Sequence, residues 1–410
     1  MKRLRLIPEE PWQRNQYVMV AMVFMVFTGF AFVLPFLPLY IRELGVEDPA
    51  KAAAWAGVLI GVAPLLAGAL APVWGRLGDR HGQKRMALRA LGSYVILLLL
   101  SAIVTRVEQL LLLRIGIGLF GGVGPLGLAM ATSASPREHT GRAVGSVQAA
   151  QILSAAVGPL AGGILADLIG IRWTFVATAV LCAGALGLVA RYYQDAPRPA
   201  GGDQPARAGF ADILRVPGVL SLLVVLFLVN FVGRSFTPVL PFQLQTMSVP
   251  LSRIAVSTGA LISVYSAAAA LSATALGKAS GQRSPRALLV ASLLGGAVTV
   301  VPMALIDRFS LFLGLGLALG LVSGGALTLC YTMGGLLVPS AGLRATAFGF
   351  FAGAALVGGA VSPAVAGLIA RWNLRAIYYV DGIIFLGLAL ALLPGAWPSR
   401  VRVASATSVR

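Results

Sequence analysis

Apolar side chains run along this chain in twelve long blocks, separated by short polar connections. The blocks cover residues 16–41, 54–74, 90–105, 109–131, 143–166, 173–193, 217–240, 254–277, 286–306, 309–336, 345–370 and 376–394. The third is short on this count, and its helix is expected to start nearer Met86. Blocks of this length cross a hydrocarbon core of about 30 Å as helices, and a helix satisfies its own backbone in lipid. The pattern predicts an all-α membrane protein with twelve transmembrane helices. Only residues 194–216 form a long hydrophilic connection, rich in Pro, Gly and charge. They divide the chain into a six-helix bundle over 1–193, a linker over 194–216 and a second six-helix bundle over 217–410.

The two bundles read as copies. Gly145 to Pro159 and Gly349 to Pro363 are both steps of fourteen residues, with Arg142 and Arg344 just ahead of them. Phe175 follows the first proline by sixteen and Tyr379 follows the second by sixteen. Spans 5 and 11 are therefore equivalent, and the halves pseudo-symmetric. Gly277 to Arg286 lies where the second copy of the basic stretch Gly75 to Arg85 belongs, with Gly281 standing where the first copy has Asp79.

Composition agrees with the spans: 58% of residues are hydrophobic, 11% are charged and mean hydropathy is +0.87. Soluble domains carry about 25% charge. The net charge of +18 would suit a nucleic-acid binder on magnitude alone. Its placement excludes that, because the basic residues sit in short loops between spans. With both termini set on the cytoplasmic side, 22 Lys and Arg fall inside and 8 outside, and Arg114 and Arg234 lie within spans. The acids split evenly, so this is a positive-inside bias. It predicts a multi-pass protein of the plasma membrane, the bacterial inner membrane, with both termini cytoplasmic. The apolar run Tyr17 to Ile41 is too long for a signal-peptide core and reads as span 1. Cys182 and Cys330 fall inside spans, and His81 and His139 have no ligand spacing around them. No disulfide frame, metal site or cofactor is expected. No nucleophile–base pair points to an enzyme.

Four groups of residues carry candidate chemistry. Gly75, Gly78, Asp79, Arg80, Gly82, Lys84 and Arg85 form the densest charge cluster, expected as a turn between spans 2 and 3. Its bases are either topology signals or headgroup anchors, and a carboxylate at Asp79 can cap a helix start or pair with Arg. Arg114, in span 4, either snorkels to the outer interface or faces a watery cavity. Gly158, Pro159, Gly162 and Gly163 in span 5 combine a proline kink with close-packing glycines, which suits either plain packing or a pivot. Asn230 and Arg234, four apart, share a face of span 7. Candidate cavity linings are Asn230, Gln148, Gln151, Tyr265, Tyr331, Phe32 and Phe231, with the soft side chain of Met130 a further possibility.

The run Gly-x-x-x-Asp-Arg-x-Gly-x-Lys-Arg from Gly75 resembles the signature loop of the major facilitator superfamily. Arg114-Ile-Gly-Ile-Gly-Leu-Phe-Gly-Gly122 resembles the family's Arg-x-x-x-Gly-x-Gly motif, and Gly158-Pro-Leu-Ala-Gly-Gly163 its antiporter motif. Together, in this order, they resemble the drug:proton antiporter branch. Trp12 to Asn15 and Leu34 to Tyr40 add a likeness to the MdtG-type bacterial multidrug exporters. The resemblance implies a secondary transporter exporting small amphipathic compounds by alternating access, with protons as coupling ion, no cofactor, and a monomer in the lipid bilayer. It implies that Asp79 bridges the halves at the cytoplasmic face, with the start of span 11 as partner, and acts as a conformational gate.

One departure stands against the proton-coupled pattern. None of the fourteen acids lies in the middle third of a span; Glu108, Asp167 and Asp381 come nearest and are expected near the outer surface. With Arg114 and Arg234 embedded, the cavity is expected to favour neutral or anionic compounds. A facilitator or anion exporter without proton coupling, and a non-transporting receptor or assembly factor on the same scaffold, remain as alternatives.

Overall fold

A computed structural model describes residues 10–136, 139–195, 215–338 and 341–393. Most of the linker expectation, and the chain beyond Leu393, therefore lie outside the described residues. The described secondary structure is helical throughout. Nine helical runs are each long and apolar enough to cross a membrane, and a bent pair makes a tenth. The run over 107–134 and the shorter apolar helix Ala376–Ala391 complete twelve. Large apolar side chains such as Ile96, Val180, Leu271, Val298 and Ile383 stand exposed on the outside of the bundle, where lipid is their solvent.

Spans 2, 3, 5, 6, 8, 9, 11 and 12 are the helices Pro49–His81, Gln83–Ile103, Thr140–Ile169, Ile171–Tyr192, Ile254–Ala279, Pro285–Met303, Ala341–Ile369 and Ala376–Ala391. The other four are broken. Span 1 is Pro11–Val33 and Leu37–Glu43 around a 3-10 turn, Leu34–Phe36. Span 4 is Val107–Phe120 and Val123–Ala134. Span 7 is Val219–Ser235 and Leu240–Thr246, bent by 44°. Span 10 is Phe309–Ser323 and Ala326–Leu337.

The breaks have sequence causes. Pro35 and Pro38 interrupt span 1, and Pro238 and Pro241 interrupt span 7, because proline lacks the amide that would continue the ladder. Gly121-Gly122 interrupts span 4, with Gly122 in the left-handed region at φ 103°, and Gly324-Gly325 interrupts span 10. Each pair of breaks is 203 residues apart. The first helix of every group of three is thus the broken one, and the broken spans repeat at that offset.

Packing repeats with the same symmetry. Span 1 packs on span 5 as span 7 does on span 11; span 2 on span 4 as span 8 on span 10; span 3 on span 6 as span 9 on span 12. The halves meet through spans 5 with 8 and 2 with 11. The structure also corrects one pairing. At the 203-residue offset Phe175 matches Tyr378, and both are fully buried, whereas Tyr379 is exposed. In spans 2 and 8 the offset is 202, because Gly57 and Gly259 make the matching contacts, and it sets Gly281 against Asp79, so the second copy lacks the acid.

Candidate transport cavity and gates

The basic stretch from Gly75 is mostly helix, contrary to the expected turn. Span 2 continues through His81, so Gly75 and Gly78 lie in regular helix, and only Gly82 turns the chain, at φ 96°. Span 3 begins at the next residue, and its start is capped in a way not anticipated. The Lys84 amide donates to a carboxylate oxygen of Asp195 at 3.0 Å. An acid at a helix start satisfies a free amide and opposes the dipole. Arg89 lies flat on the Trp74 ring, 3.3 Å from its centroid, and the Trp74 indole donates to the Leu119 carbonyl at 3.0 Å. These contacts tie the end of span 2 and the start of span 3 to the break of span 4. The Asp79 side chain and the side chains at the start of span 11 lie outside the described residues, and so does their expected contact.

The antiporter-type stretch divides between two neighbours. A Cβ on Gly158 would fall 2.5 Å from that of Ala31, and one on Gly162 would fall 2.4 Å from Phe32 Cα, so these two face span 1. Pro159 and Gly163 face span 8. The Pro159 carbonyl lies against Gly259, where a Cβ would sit at 2.1 Å. In the second copy, the Pro363 carbonyl lies against Gly57 of span 2 at the same 2.1 Å. Just past the kink, the Leu160 amide donates to Ser263 Oγ of span 8 at 3.0 Å. Backbone of the kinked helix is thus bonded by the opposite half.

These contacts lie toward the end of the bundle where span 2 begins, the Pro49 end. Further contacts seal it. Asp167, at the close of span 5, accepts the Val256 amide in the first turn of span 8 at 2.8 Å. Arg42 donates to Gln245 at 3.3 Å across the halves, and these residues are themselves 203 apart. Toward the other end, the equivalent positions Gly145 and Gly349 have open space where a Cβ would stand, as does Gly75. Gln148 is exposed and Gln151 half-buried on this open stretch of span 5.

Of the expected cavity residues, Asn230, Arg234 and Tyr265 converge. They line a cavity of about 130 Å³ with Ser323, Gly324 and Phe385, at the break of span 10. Arg234 is exposed there and makes no hydrogen bond among the described residues. Phe236 meets the Tyr265 ring edge-on, centroids 5.6 Å apart. Tyr331 instead stacks on Phe348, and Phe231 is buried with its carbonyl accepting from Ser362. Phe32 packs against Gly162, and Met130 is fully buried. Arg114 lies away from this cavity, 1% exposed, with Nε and Nη2 unpartnered.

Asp381, which the sequence places near the outer surface, is fully buried in the second turn of span 12. Its Oδ2 is hydrogen-bonded with Ser235 Oγ at 2.5 Å, and Oδ1 has no partner. The 203-residue offset is the signal that could have found it: it sets Asp381 on Thr178, a buried position facing span 1.

A pseudo-symmetric bundle of broken and continuous spans, closed between halves at one end and lined by a charged cavity, defines a membrane transporter fold. The family model of the Major Facilitator Superfamily matches residues 19–261 and 246–408, and the chain belongs to that family. It is 28% identical over 393 residues to the multidrug resistance protein MdtG of Proteus mirabilis, covering 95% of this chain and 98% of that protein. With MdtG of Citrobacter koseri it shares 32% identity over 298 residues, 72% of this chain and 73% of the relative. Among solved structures, an inward-facing, occupied bacterial homologue of the human lysosomal transporter Spinster aligns with TM-score 0.76 at 17% identity, covering 94% and 97% of the two chains. The human organic anion transporter MFSD10 aligns with TM-score 0.66 at 17% identity, covering 94% of this chain and 100% of that one.

Proposed function

We propose that this protein is a proton-coupled multidrug exporter of the bacterial inner membrane, carrying small amphipathic compounds, neutral or anionic, by alternating access as a monomer. The carrying observation is the one-sided closure between the halves. Pro159 on Gly259, Pro363 on Gly57 and Asp167 on Val256 all join the halves toward the Pro49 end, while Gly145 and Gly349 face open space further along the same spans. The positive-inside bias sets the open end in the cytoplasm and both termini with it. On that orientation the described state is inward-facing, the state in which an exporter loads. Similarity to proteins named for multidrug resistance supports the substrate class.

Closure at the other end then falls to the Gly75 to Arg85 region and the start of span 11, with Asp79 as its gate. The Gly158, Pro159, Gly162 and Gly163 stretch is the pivot: Pro159 and Gly163 engage span 8 of the opposite half, while Gly158 and Gly162 hold the helix to span 1. Arg234, unpaired at the cavity, selects for anionic or neutral compounds over cations. Drug-susceptibility profiling of a strain overexpressing the chain tests the reading. Raised resistance to several unrelated amphipathic compounds is expected; no change against any of them contradicts export.

A further inference from the structure

Among the described residues Asp381 is the one fully buried acid, and its burial with one oxygen unpartnered states which form it takes. Ser235 Oγ lies 2.5 Å from Asp381 Oδ2 and 3.0 Å from the Val232 carbonyl. A hydroxyl has one hydrogen. Two acceptors about one hydroxyl do not fix the proton, since Thr178 Oγ1 likewise lies 2.7 Å from both the Gly29 and the Thr174 carbonyls. Burial does, because an ionised Asp381 would hold a single accepted hydrogen bond and a bare Oδ1 with no exposure to water. With a proton on Oδ2 both contacts are satisfied: Asp381 donates to Ser235, and Ser235 donates to Val232. The unpartnered Oδ1 is then a neutral carbonyl oxygen rather than a buried charge, a far smaller cost in a low-dielectric interior.

The other half supplies an independent comparison. At the matching position Thr178 donates directly to the Gly29 carbonyl at 2.7 Å. Gly29 and Val232 are also 203 residues apart. The same carbonyl thus receives a hydrogen in both halves, from a hydroxyl in the first and through Ser235 from Asp381 in the second. A neutral threonine meets the packing need, so an acid here adds something that packing does not require.

The surroundings suit a group that changes its charge. Arg234 precedes Ser235 and faces the cavity, and Phe385, one turn along from Asp381, lines that cavity. Tyr265 of span 8 and Tyr378 on its own helix lie within electrostatic reach, and Arg375 sits at the head of span 12. Span 9 sets Val300 and Val301 near Gly382 on this part of span 12, and span 11 carries no titratable side chain beyond Arg344 at its start. Arg234 is the only unpaired cation among the described groups around the site.

We propose that Asp381 is the proton-carrying group of the transport cycle, protonated in the inward-facing state and releasing its proton to cavity water when a compound loads beside Arg234. The proposal rests on the proton-coupled export reading. On release the O–H bond breaks, the electron pair stays on Oδ2, and Ser235 turns its hydrogen from Val232 to the new carboxylate.

The test uses the full chain in two settings. In nanodiscs, infrared spectra of wild type at neutral pH should show the carbonyl stretch of a protonated carboxylic acid. The band should be lost in both Asp381→Asn and Asp381→Thr, the second copying Thr178 so that a failure of either to fold leaves the other. An undiminished band in the variants, or none in wild type, overturns the assignment. In proteoliposomes, fluorescein is the amphipathic anionic probe. Wild type should show efflux accelerated by a pH gradient, and Asp381→Asn should lose that acceleration while keeping gradient-free counterflow. Equal acceleration in wild type and variant sinks the role of Asp381 alone. Absence of acceleration in wild type removes the proton-coupled reading and this proposal with it.

Discussion

The carboxylate of Asp167 accepts the Val256 amide at 2.8 Å, so an acid at the end of span 5 caps the start of span 8 in the opposite half. A side chain from one bundle completes a helix of the other, and the bond can exist only while the Pro49 end is closed. Such a cap contributes about 0.5–1 kcal/mol. Asp167→Ala should therefore shift the population toward the state open at that end, by roughly twofold to fivefold. Spin labels at Lys51 and Arg253, both exposed on that face, would report it as a larger share of long distances. An unchanged distribution would mean that the apolar contacts alone hold this end shut.

Steric closure gives a sharper perturbation. A Cβ at Gly259 would stand 2.1 Å from the Pro159 carbonyl, a contact with backbone that no side-chain rotation relieves. Gly259→Ala should prevent full closure at the Pro49 end and lower transport by at least tenfold, which corresponds to about 1.4 kcal/mol. Gly187→Ala is the matched control, because nothing lies near its Cβ position. Transport at wild-type rate in Gly259→Ala would show that the spans separate freely.

Asp79 and Asp195 separate gating from folding. Asp195 caps span 3, so Asp195→Ala should lower thermal stability by about 1 kcal/mol while leaving the transport of surviving protein near normal. Asp79→Asn should do the reverse, impairing transport more than expression. Melting curves beside vesicle transport distinguish them, and unaltered transport in Asp79→Asn would remove its gating role.

Arg234 sets substrate charge on this account. Arg234→Ala should weaken transport of anionic amphipaths such as fluorescein about tenfold or more while sparing neutral ones. An equal loss for both classes would assign Arg234 to packing around the cavity.

Much of the architecture is legible in the sequence because lipid imposes a simple rule, in which long apolar blocks become helices. The six-plus-six division and the equivalence of spans 5 and 11 follow from spacing alone. What escapes is set by local backbone chemistry and by the partner half. Gly75 and Gly78 suggest a turn, yet helix propagates through them, and Gly82 alone adopts a backbone that favours glycine. The Gly121-Gly122 and Gly324-Gly325 breaks hide inside continuous apolar runs, where hydropathy carries no signal. Asp381 stands near a span end in sequence, and only the packing of spans 7 and 12 shows that it is enclosed. Asn230, Arg234 and Tyr265 meet because span 7 bends and span 10 breaks beside them.

Export of fluorescein from proteoliposomes of defined internal and external pH tests the central claim most directly. Proton-coupled export predicts transport against a fluorescein gradient when a pH gradient of the correct sign is imposed, and its collapse when a protonophore dissipates that gradient. Accumulation of the same extent with and without the pH gradient would contradict it.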